Sequence, residues 1–274
     1  MTVILPHAVL PHASAATLLP SERHPAARPA RPARPVPPAP LSPALSKLLA
    51  RLPVQDDGEA LRQSLFHSGT HFNPDLLTSE AERRARLEGV HAALDRAESL
   101  AFLDTESTGG RNGRLIEVAL VETDVEQNVT GGLHFRCNPH RRSLAGARRV
   151  HGIQDCELEH CPEFAARADE LLEAVRGKTV VIHDRTMDLL WLNRELQAAR
   201  PGAPRFEDRC TVVDSFVLAR AIPSERRRNG LDALLEWYGL GARGGHHDAY
   251  GDAALLSRVF FELWWDLDEW LYGE

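Results

Sequence analysis

Proline is the feature of this sequence that most limits what the chain can fold into. Twelve of the 18 prolines lie within the first 53 of the 274 residues, and some of them form an Ala-Arg-Pro repeat between Ala27 and Pro35. Proline has no backbone N–H to donate and is disfavoured in the interior of helices and sheets. A segment of this composition cannot bury a core of its own. We therefore predict a disordered leader over residues 1–43, and the folded part must follow it.

Charge divides the chain at nearly the same place. The formal net charge is −7, although residues 1–55 contain six Lys and Arg residues and only one acidic residue. The remainder is strongly acidic, which disfavours a protein that holds long duplexes by bulk electrostatic attraction. An acidic body instead suits a site that binds cations and uses their charge to meet phosphate.

Cysteine usage and hydropathy set the expected location. The chain has four cysteines, which do not suggest a disulfide scaffold at this length, and it has no run of 18 apolar residues. The N-terminus also lacks the basic start of a secretion signal. We therefore expect a cytoplasmic protein with no membrane partner.

Residues 44–97 follow a helical pattern. Ser79 and Glu82 have the spacing of a capping box. An apolar stripe follows at Leu87, Val90, Ala93 and Leu94. The pattern predicts a helical N-terminal extension that either packs against the next domain or serves as a docking surface. The leader before it is either a solvated tail or a tether to a polymerase or repair complex.

From Leu100 onward, strand patterns alternate with helical ones. Strands are predicted over residues 100–103, 115–121, 133–137 and 179–183. Helices are predicted over residues 162–176, 188–199, 231–238 and 249–265. Three strands followed by alternating helices and strands predict an α/β domain over residues 98–274, with a mixed central sheet flanked by helices.

Two carboxylates stand together where the first predicted strand ends. Asp104 and Glu106 flank Thr105, and residues two apart in extended chain project from the same face. Such a pair repels itself unless a cation lies between the charges. Hard oxygen ligands of this kind suit Mg²⁺ or Mn²⁺. The ordinary alternative for so short a pattern is a solvated turn.

Acidic residues also follow two later segments of the chain. Asp188 comes after the strand at 179–183, and Asp252 begins the C-terminal helix, five residues after His247. Each aspartate alone has an ordinary explanation as a helix N-cap. Together with the first pair, they favour a functional cluster of acids.

Three short segments carry a more specific signal. They are Asp104-Thr-Glu106-Ser-Thr-Gly109 with Leu115-Ile-Glu-Val-Ala119, then His183 to Asp188, then His247 with Asp252-Ala253. Between them stand Val150-His-Gly-Ile153, Val213-Asp-Ser and Arg228-Asn-Gly-Leu-Asp-Ala-Leu234. In this order, over about residues 98–265, they resemble the motifs of the DEDDh family of 3′→5′ exonucleases. The chain is most similar to the epsilon proofreading subunits of bacterial DNA polymerase III and their stand-alone relatives.

The resemblance implies a ribonuclease H-like fold and a two-metal hydrolysis that releases 5′-mononucleotides from 3′ ends. Two divalent cations, Mg²⁺ or Mn²⁺, would be held by Asp104, Glu106, Asp188 and Asp252. Asp104 would bridge both cations, and Asp188 would act through water. His247 would be the general base, because a histidine can accept a proton near neutral pH. His246 is the competing histidine, but it is one residue too far from Asp252 for the family spacing.

Contacts to the substrate are less firmly marked by the motifs. His151 lies in Val-His-Gly-Ile, which in epsilon-like enzymes is near the bound strand end, and its ordinary alternative is a turn histidine held by the backbone. Thr105, Thr108 and Gly109 are further candidates for contact with the terminal nucleotide.

DNA is the favoured substrate, in proofreading or repair, because the best match is to proofreading enzymes. The alternatives are an exoribonuclease, since oligoribonuclease and ribonuclease T share the five residues, and a non-catalytic nucleic-acid-binding or scaffold module.

The second motif departs from the family pattern. His183-Asp184-Arg185 stands where His-Asn-Ala is usual, and Met187 takes the place of a phenylalanine. Asp184 adds an acid close to the expected metal cluster, and Arg185 replaces a small residue. We expect such replacements to alter substrate preference, metal affinity or rate.

Overall fold

The computed structural model describes residues 79–97 and 99–273. The predicted leader over residues 1–43 lies outside the described residues, as does the predicted extension before residue 79. Among the residues described, no helix combines the length and the apolar character that a membrane span requires.

Five strands form one mixed sheet in the order β3-β2-β1-β4-β5. They are β1 (Leu100–Ser107), β2 (Leu115–Thr123), β3 (Val129–Arg136), β4 (Thr179–Ile182) and β5 (Thr211–Asp214). The pairs β1–β2 and β2–β3 are antiparallel, whereas β1–β4 and β4–β5 are parallel. This arrangement confirms the predicted α/β fold, with three antiparallel strands followed by parallel additions.

Helices lie on both faces of this sheet. They are α1 (Glu80–Asp95), α2 (Ala145–His151), α3 (Asp155–Leu158), α4 (Ala168–Ala174), α5 (Thr186–Ala199), α6 (Ser215–Ala221), α7 (Leu231–Trp237) and α8 (Ala249–Tyr272). Short 3-10 helices stand at Phe164–Ala166 and Phe206–Asp208. Alternate residues of β1 face different helices: Leu100 and Phe102 pack with α8, whereas Ala101 and Leu103 pack with α4 and α5. Burial on both faces explains why β1 begins as a continuous apolar run.

Helix α1 packs against the domain that follows it, which is the first of the two interpretations given for the helical extension. Ser79 is its N-cap, and its Oγ accepts a hydrogen bond from Glu82 N at 3.2 Å. Leu87 and Leu94 are buried in the same core cluster as α8. His91 contacts Asp268 of α8.

The first strand is longer than predicted, so one boundary is wrong. β1 continues through Asp104 to Ser107, because Thr105 and Glu106 still pair with Val118 and Glu117 of β2. The polar side chains of this stretch favoured a turn in the sequence, but the backbone ladder to β2 persists beneath them.

Other boundaries also differ from the predictions. The predicted helix at 162–176 is a 3-10 turn followed by α4, and α8 runs seven residues further than residue 265. Strand β5 and helices α2 and α6 were not predicted. Each of them is at most seven residues long, so its hydrophobic period is weak, although α7, of the same length as α2 and α6, was predicted.

The N-cap explanation of the two later aspartates does not hold. Helix α8 is capped by Asp248, whose carboxylate accepts from Gly251 N at 2.8 Å. Helix α5 begins at Thr186, so Asp188 lies inside its first turn. Neither Asp188 nor Asp252 is therefore the N-cap of the helix that carries it.

Candidate active site

The first two acids stand on the face of β1 that leads to the start of α8. Leu100 and Phe102 pack against α8, and Asp104 and Glu106 continue the same alternation along the strand. Asp252, in the first turn of α8, meets them there. Ligand oxygens of Glu106 and Asp252 and a ring nitrogen of His247 all lie within 4.8 Å of one another.

The fourth acid comes from the opposite side of the sheet. Asp188 belongs to α5, whose buried residues pack with the other face of β1. The Thr105 hydroxyl donates to Asp188 Oδ1 at 2.7 Å, and both residues are buried. Thr105, predicted as a substrate contact, thus lies between Asp104 and Glu106 and has its hydroxyl committed to Asp188.

Desolvation raises the pKa values of all four acids, and the charges of neighbouring carboxylates add to it. Desolvation, followed by the charges of Asp188, Glu106 and Asp252, raises the pKa of Asp104 well above its ordinary value. Desolvation and then Asp252 raise the pKa of Glu106 to about 8. Desolvation raises the pKa of Asp188 to about 7 against the Thr105 hydrogen bond, and that of Asp252 to about 6 against the charge of Arg243.

This donor set fits a divalent metal. Four carboxylates that repel one another in a desolvated site gain most from a compensating cation. Carboxylate oxygens suit Mg²⁺ or Mn²⁺, whereas the nearby imidazole would also accept a softer ion such as Zn²⁺. Glu106, Asp252 and His247 thus place possible ligand atoms together, and Asp104 interacts electrostatically with Glu106, Asp188 and Asp252.

The structure places His247, rather than His246, beside the acids. His247 Nδ1 lies 3.5 Å from Asp252 Oδ2, and its backbone N–H donates to Val150 O at 2.9 Å. Desolvation, then the charge of Arg243, lowers the pKa of His247, so its ring is neutral near pH 7. The ring of His246 instead lies over Gly152, where an added Cβ would come within 2.7 Å of it.

Two other predicted substrate contacts are held within the turn after β1. The Thr108 hydroxyl accepts from Arg114 N at 3.0 Å, and the residue is fully buried. Gly109 has φ +90°, and a Cβ there would lie 2.9 Å from Ala147 Cβ. Thr108 therefore stabilises this loop, and Gly109 permits α2 to approach it.

His151 agrees in part with the alternative interpretation, a turn histidine held by the backbone. Its Nδ1 accepts a hydrogen bond from Ile153 N at 3.0 Å, as in a turn histidine held by the backbone. Its buried Nε2 has no hydrogen-bond partner among the described residues. One ring nitrogen thus remains for a ligand.

The turn that carries the unusual second motif has a defined backbone, which a left-handed residue and two hydrogen bonds stabilise. Asp184 has φ +56°, a left-handed conformation that Asn and Asp tolerate better than other side chains. Asp214, at the end of β5, accepts from the N–H groups of Asp184 and Arg185 at 3.2 and 3.3 Å. His183 Nδ1 lies 2.9 Å from Ser215 Oγ. The Val213-Asp-Ser segment therefore holds the loop that leads to Asp188.

Arg243 is a site residue that the sequence did not reveal. It lies between α7 and α8, and its Nη1 donates to Asp252 Oδ2 at 2.7 Å and lies 2.6 Å from His247 Nδ1. Its Nε lies 2.8 Å from Asp232 Oδ1. An arginine in a glycine-rich coil gives no pattern, so the only available signal was the need of four acids for a nearby cation.

Glu117 connects the site to the rest of the sheet. It is almost fully buried, and its carboxylate accepts from Arg136 Nε at 2.9 Å and from Ala249 N at 3.1 Å, with His134 Nε2 at 3.0 Å. Burial alone would raise its pKa, but the hydrogen bonds from His134, Arg136 and Ala249 hold it at about 2. Glu117 thereby fixes the first residue of α8, and with it the position of Asp252.

The sequence is similar to a known family and to proteins of known name. The sequence matches the model of a family described as Exonuclease over residues 101–260. It is 35% identical to the DNA polymerase III subunit epsilon of Rickettsia felis over 167 residues, which cover 59% of this chain and 72% of that protein. It is 33% identical to the same subunit of Escherichia coli over 170 residues, or 59% of this chain and 69% of that one.

Solved structures show a weaker likeness. The chain is 22% identical to E. coli Exonuclease I in complex with a dA16 oligonucleotide, with a TM-score of 0.49. That match covers 63% of this chain and 41% of Exonuclease I, so the chain spans less than half the length of that protein.

Proposed function

The chain belongs to the exonuclease family, and we propose that it removes nucleotides from the 3′ end of single-stranded or frayed DNA and releases 5′-mononucleotides. One observation carries the proposal: four acids whose pKa values are all raised converge beside a neutral imidazole. Relatives named as DNA polymerase III subunit epsilon support DNA as the substrate and proofreading or repair as the setting.

The carboxylates of Asp104, Glu106, Asp188 and Asp252 would hold two divalent cations. Bound there, such cations would lower the pKa of a coordinated water and offset charge on the departing oxygen. Mg²⁺ and Mn²⁺ are the proposed ions because the donors are hard oxygens.

The protein side chains would supply the proton transfer and the alignment. His247 would accept the proton of the attacking water, because its lowered pKa leaves the ring neutral at physiological pH. The 2.9 Å bond from its backbone to Val150 would keep the ring beside the cluster, and Thr105 would orient Asp188. His151 Nε2 is the proposed contact to the terminal nucleotide, since it is the one predicted contact with an uncommitted side-chain atom.

Digestion of end-labelled oligonucleotides tests the direction and the substrate. We expect 5′-labelled single-stranded DNA to give a ladder of shortening labelled products with Mn²⁺ or Mg²⁺, and RNA of the same sequence to be degraded more slowly. Release of the label as the first product would mean the opposite direction. Faster degradation of the RNA would replace the DNA proposal by an exoribonuclease.

Two variants separate this site from a contaminant or a scaffold role. Asp104→Ala should abolish the ladder, whereas Asp169→Ala should leave it intact, because Asp169 is an exposed acid paired with Arg200 on the surface. Hydrolysis by Asp104→Ala at the wild-type rate would overturn the assignment of the site.

We also propose that the segment before the folded domain serves association rather than chemistry. The relatives named as a DNA polymerase III subunit support a polymerase as the partner. Deletion of residues 1–43 should leave hydrolysis unchanged and should weaken co-purification with polymerase III core. Loss of hydrolysis in the truncated chain would contradict this division of roles.

A further inference from the structure

Arg243 places a permanent positive charge among the acids of the proposed metal site. Its side chain is 14% exposed, and it lies within 2.8 Å of oxygens of both Asp252 and Asp232. Several other arginine pairs of the described residues, such as Arg176 with Glu173, lie on the surface with both side chains more than half exposed. The position of Arg243 therefore differs from that of an ordinary surface ion pair.

The electrostatics explain why a cation belongs there. Arg243 acts against the repulsion within the cluster, because its charge lowers the pKa values of Asp104, Glu106 and Asp252. A guanidinium stays charged at any pH that a protein tolerates, and its fork of N–H groups can serve two carboxylates at once. Removing one partner of a buried charge pair leaves the other uncompensated, which is costly.

The two partners of Arg243 differ in kind. Asp252 is buried and belongs to the proposed metal ligands, whereas the side chain of Asp232, on the first turn of α7, is 71% exposed. The guanidinium of Arg243 thus lies between Asp252, a proposed metal ligand, and Asp232, which is not one of the proposed ligands. It also reaches His247, the proposed general base, at 2.6 Å.

We propose that Arg243 is a built-in counter-cation of the metal site, a positioning residue that competes with the divalent ions for Asp252. It holds Asp252 and His247 together when the acids carry no metal. Metal loading requires it to give up Asp252, and Asp232 then retains the guanidinium at the edge of the site. This inference rests on the proposed function, because it takes Asp252 to be a metal ligand.

Direct measurement of metal binding tests this role without any nuclease assay. Titration of the full chain with Mn²⁺, followed by electron paramagnetic resonance, should give a Kd about tenfold lower for Arg243→Gln than for wild type, equivalent to about 1.4 kcal/mol. Arg243→Lys should lie between them, since an ammonium keeps the charge but not the two-sided fork. Arg176→Gln is the matched control and should bind Mn²⁺ as wild type does.

Thermal unfolding gives the second readout. In EDTA, Arg243→Gln should melt about 2–4 °C below wild type, because the acids lose their counter-cation. With saturating Mn²⁺ the difference should vanish or reverse. A merely structural role for Arg243 would instead lower the Tm equally in both conditions.

A double-mutant cycle examines the part played by Asp232. Asp232→Asn should weaken Mn²⁺ binding in the wild-type background, because Arg243 then has Asp252 as its remaining carboxylate partner and competes more strongly with the metal. The same change should have less than a twofold effect in the Arg243→Gln background. An equal effect in both backgrounds would show that Asp232 acts by its own charge and would remove it from the proposal.

The outcomes distinguish this inference from the proposed function. If the wild-type chain binds no Mn²⁺ and Asp252→Asn changes nothing, the metal-dependent nuclease assignment fails as well. If the wild-type chain binds Mn²⁺ but Arg243→Gln binds it with unchanged affinity, only the counter-cation role is overturned.

Discussion

Glu106 and Glu117 face each other across β1 and β2, yet their surroundings are opposite. Glu117 accepts hydrogen bonds from three groups, and its pKa falls to about 2. Desolvation, followed by the charges of Asp252, Glu117 and Asp188, raises the pKa of Glu106 to about 8. Paired positions of one ladder thus hold one acid that protein donors satisfy and one that we propose as a metal ligand. Burial alone therefore does not identify a functional acid, because both glutamates are buried and only one has a raised pKa.

The largest expected difference between the two glutamates is in activity. Glu106→Gln should lower kcat on single-stranded DNA by about 10³-fold, because a proposed metal ligand is lost. Its metal-free stability should be unchanged or higher, since one source of repulsion disappears. Steady-state hydrolysis with Mn²⁺, alongside urea unfolding in EDTA, measures both. A Glu106→Gln variant with nearly full activity would remove Glu106 from the metal site.

The opposite result is expected for Glu117→Gln. The change leaves Arg136 and His134 without their charged acceptor, and loss of such charge-assisted hydrogen bonds costs about 2 kcal/mol. Urea unfolding should show this loss, while the folded fraction keeps a substantial part of its activity. If activity falls as far as in Glu106→Gln at full stability, Glu117 has a direct role in the chemistry.

The two glutamates should also give opposite dependences on pH in the metal-free protein. In the unfolded chain a glutamate titrates near 4.5, and folding raises the pKa of Glu106 to about 8. The folded state then binds the extra proton, so stability falls as the pH rises from about 4.5 to about 8. For Glu117 the folded pKa is about 2, so its contribution is present above about 4.5 and is lost as the pH falls towards about 2.

Urea midpoints of EDTA-treated wild type, Glu106→Gln and Glu117→Gln across this range measure the two slopes. Glu106→Gln should reduce the decline above pH 4.5, and Glu117→Gln should reduce the decline below it. If the loss of stability above pH 4.5 is unchanged in Glu106→Gln, Asp104 and Asp188 alone produce that loss.

The smallest effect is expected where the second motif departs from the family. Asp184→Asn restores the usual residue, keeps a side chain that tolerates φ +56°, and removes a charge that raises the pKa of Asp188. Stability should change by less than about 0.5 kcal/mol. The Mn²⁺ concentration for half-maximal hydrolysis should shift by no more than about threefold. A larger shift would make Asp184 a participant in metal binding.

The sequence predicted the parts of this site that depend on local pattern. Asp104 and Glu106 alternate along a strand, and His247 precedes Asp252 by a fixed spacing, so their placement followed from the motifs. The mixed sheet followed from three strand patterns before the first parallel addition. Arg243 and the role of Glu117 did not follow, because their partners are fixed only by folding. Ala249, for example, donates to Glu117 from 132 residues away.

The predicted end of β1 was wrong for a related reason. Polar side chains marked a turn after Leu103, but the strand continues because β2 offers backbone partners as far as Leu115. The substrate contacts were also difficult to predict, since a hydroxyl such as that of Thr108 is equally suited to a nucleotide and to a neighbouring backbone N–H.

The hydrogen bond from Thr105 to Asp188 joins two layers that otherwise have separate cores. Asp104 and Glu106 belong to the side of the sheet covered by α8, and Asp188 comes from α5 on the other side. Neither half of the molecule therefore contains all four of the proposed ligands. Assembly of the four acids requires both layers to be docked on one central strand. If these acids are the ligands, catalysis is a property of the whole domain, and we expect partly folded chains to be unable to cut nucleic acid.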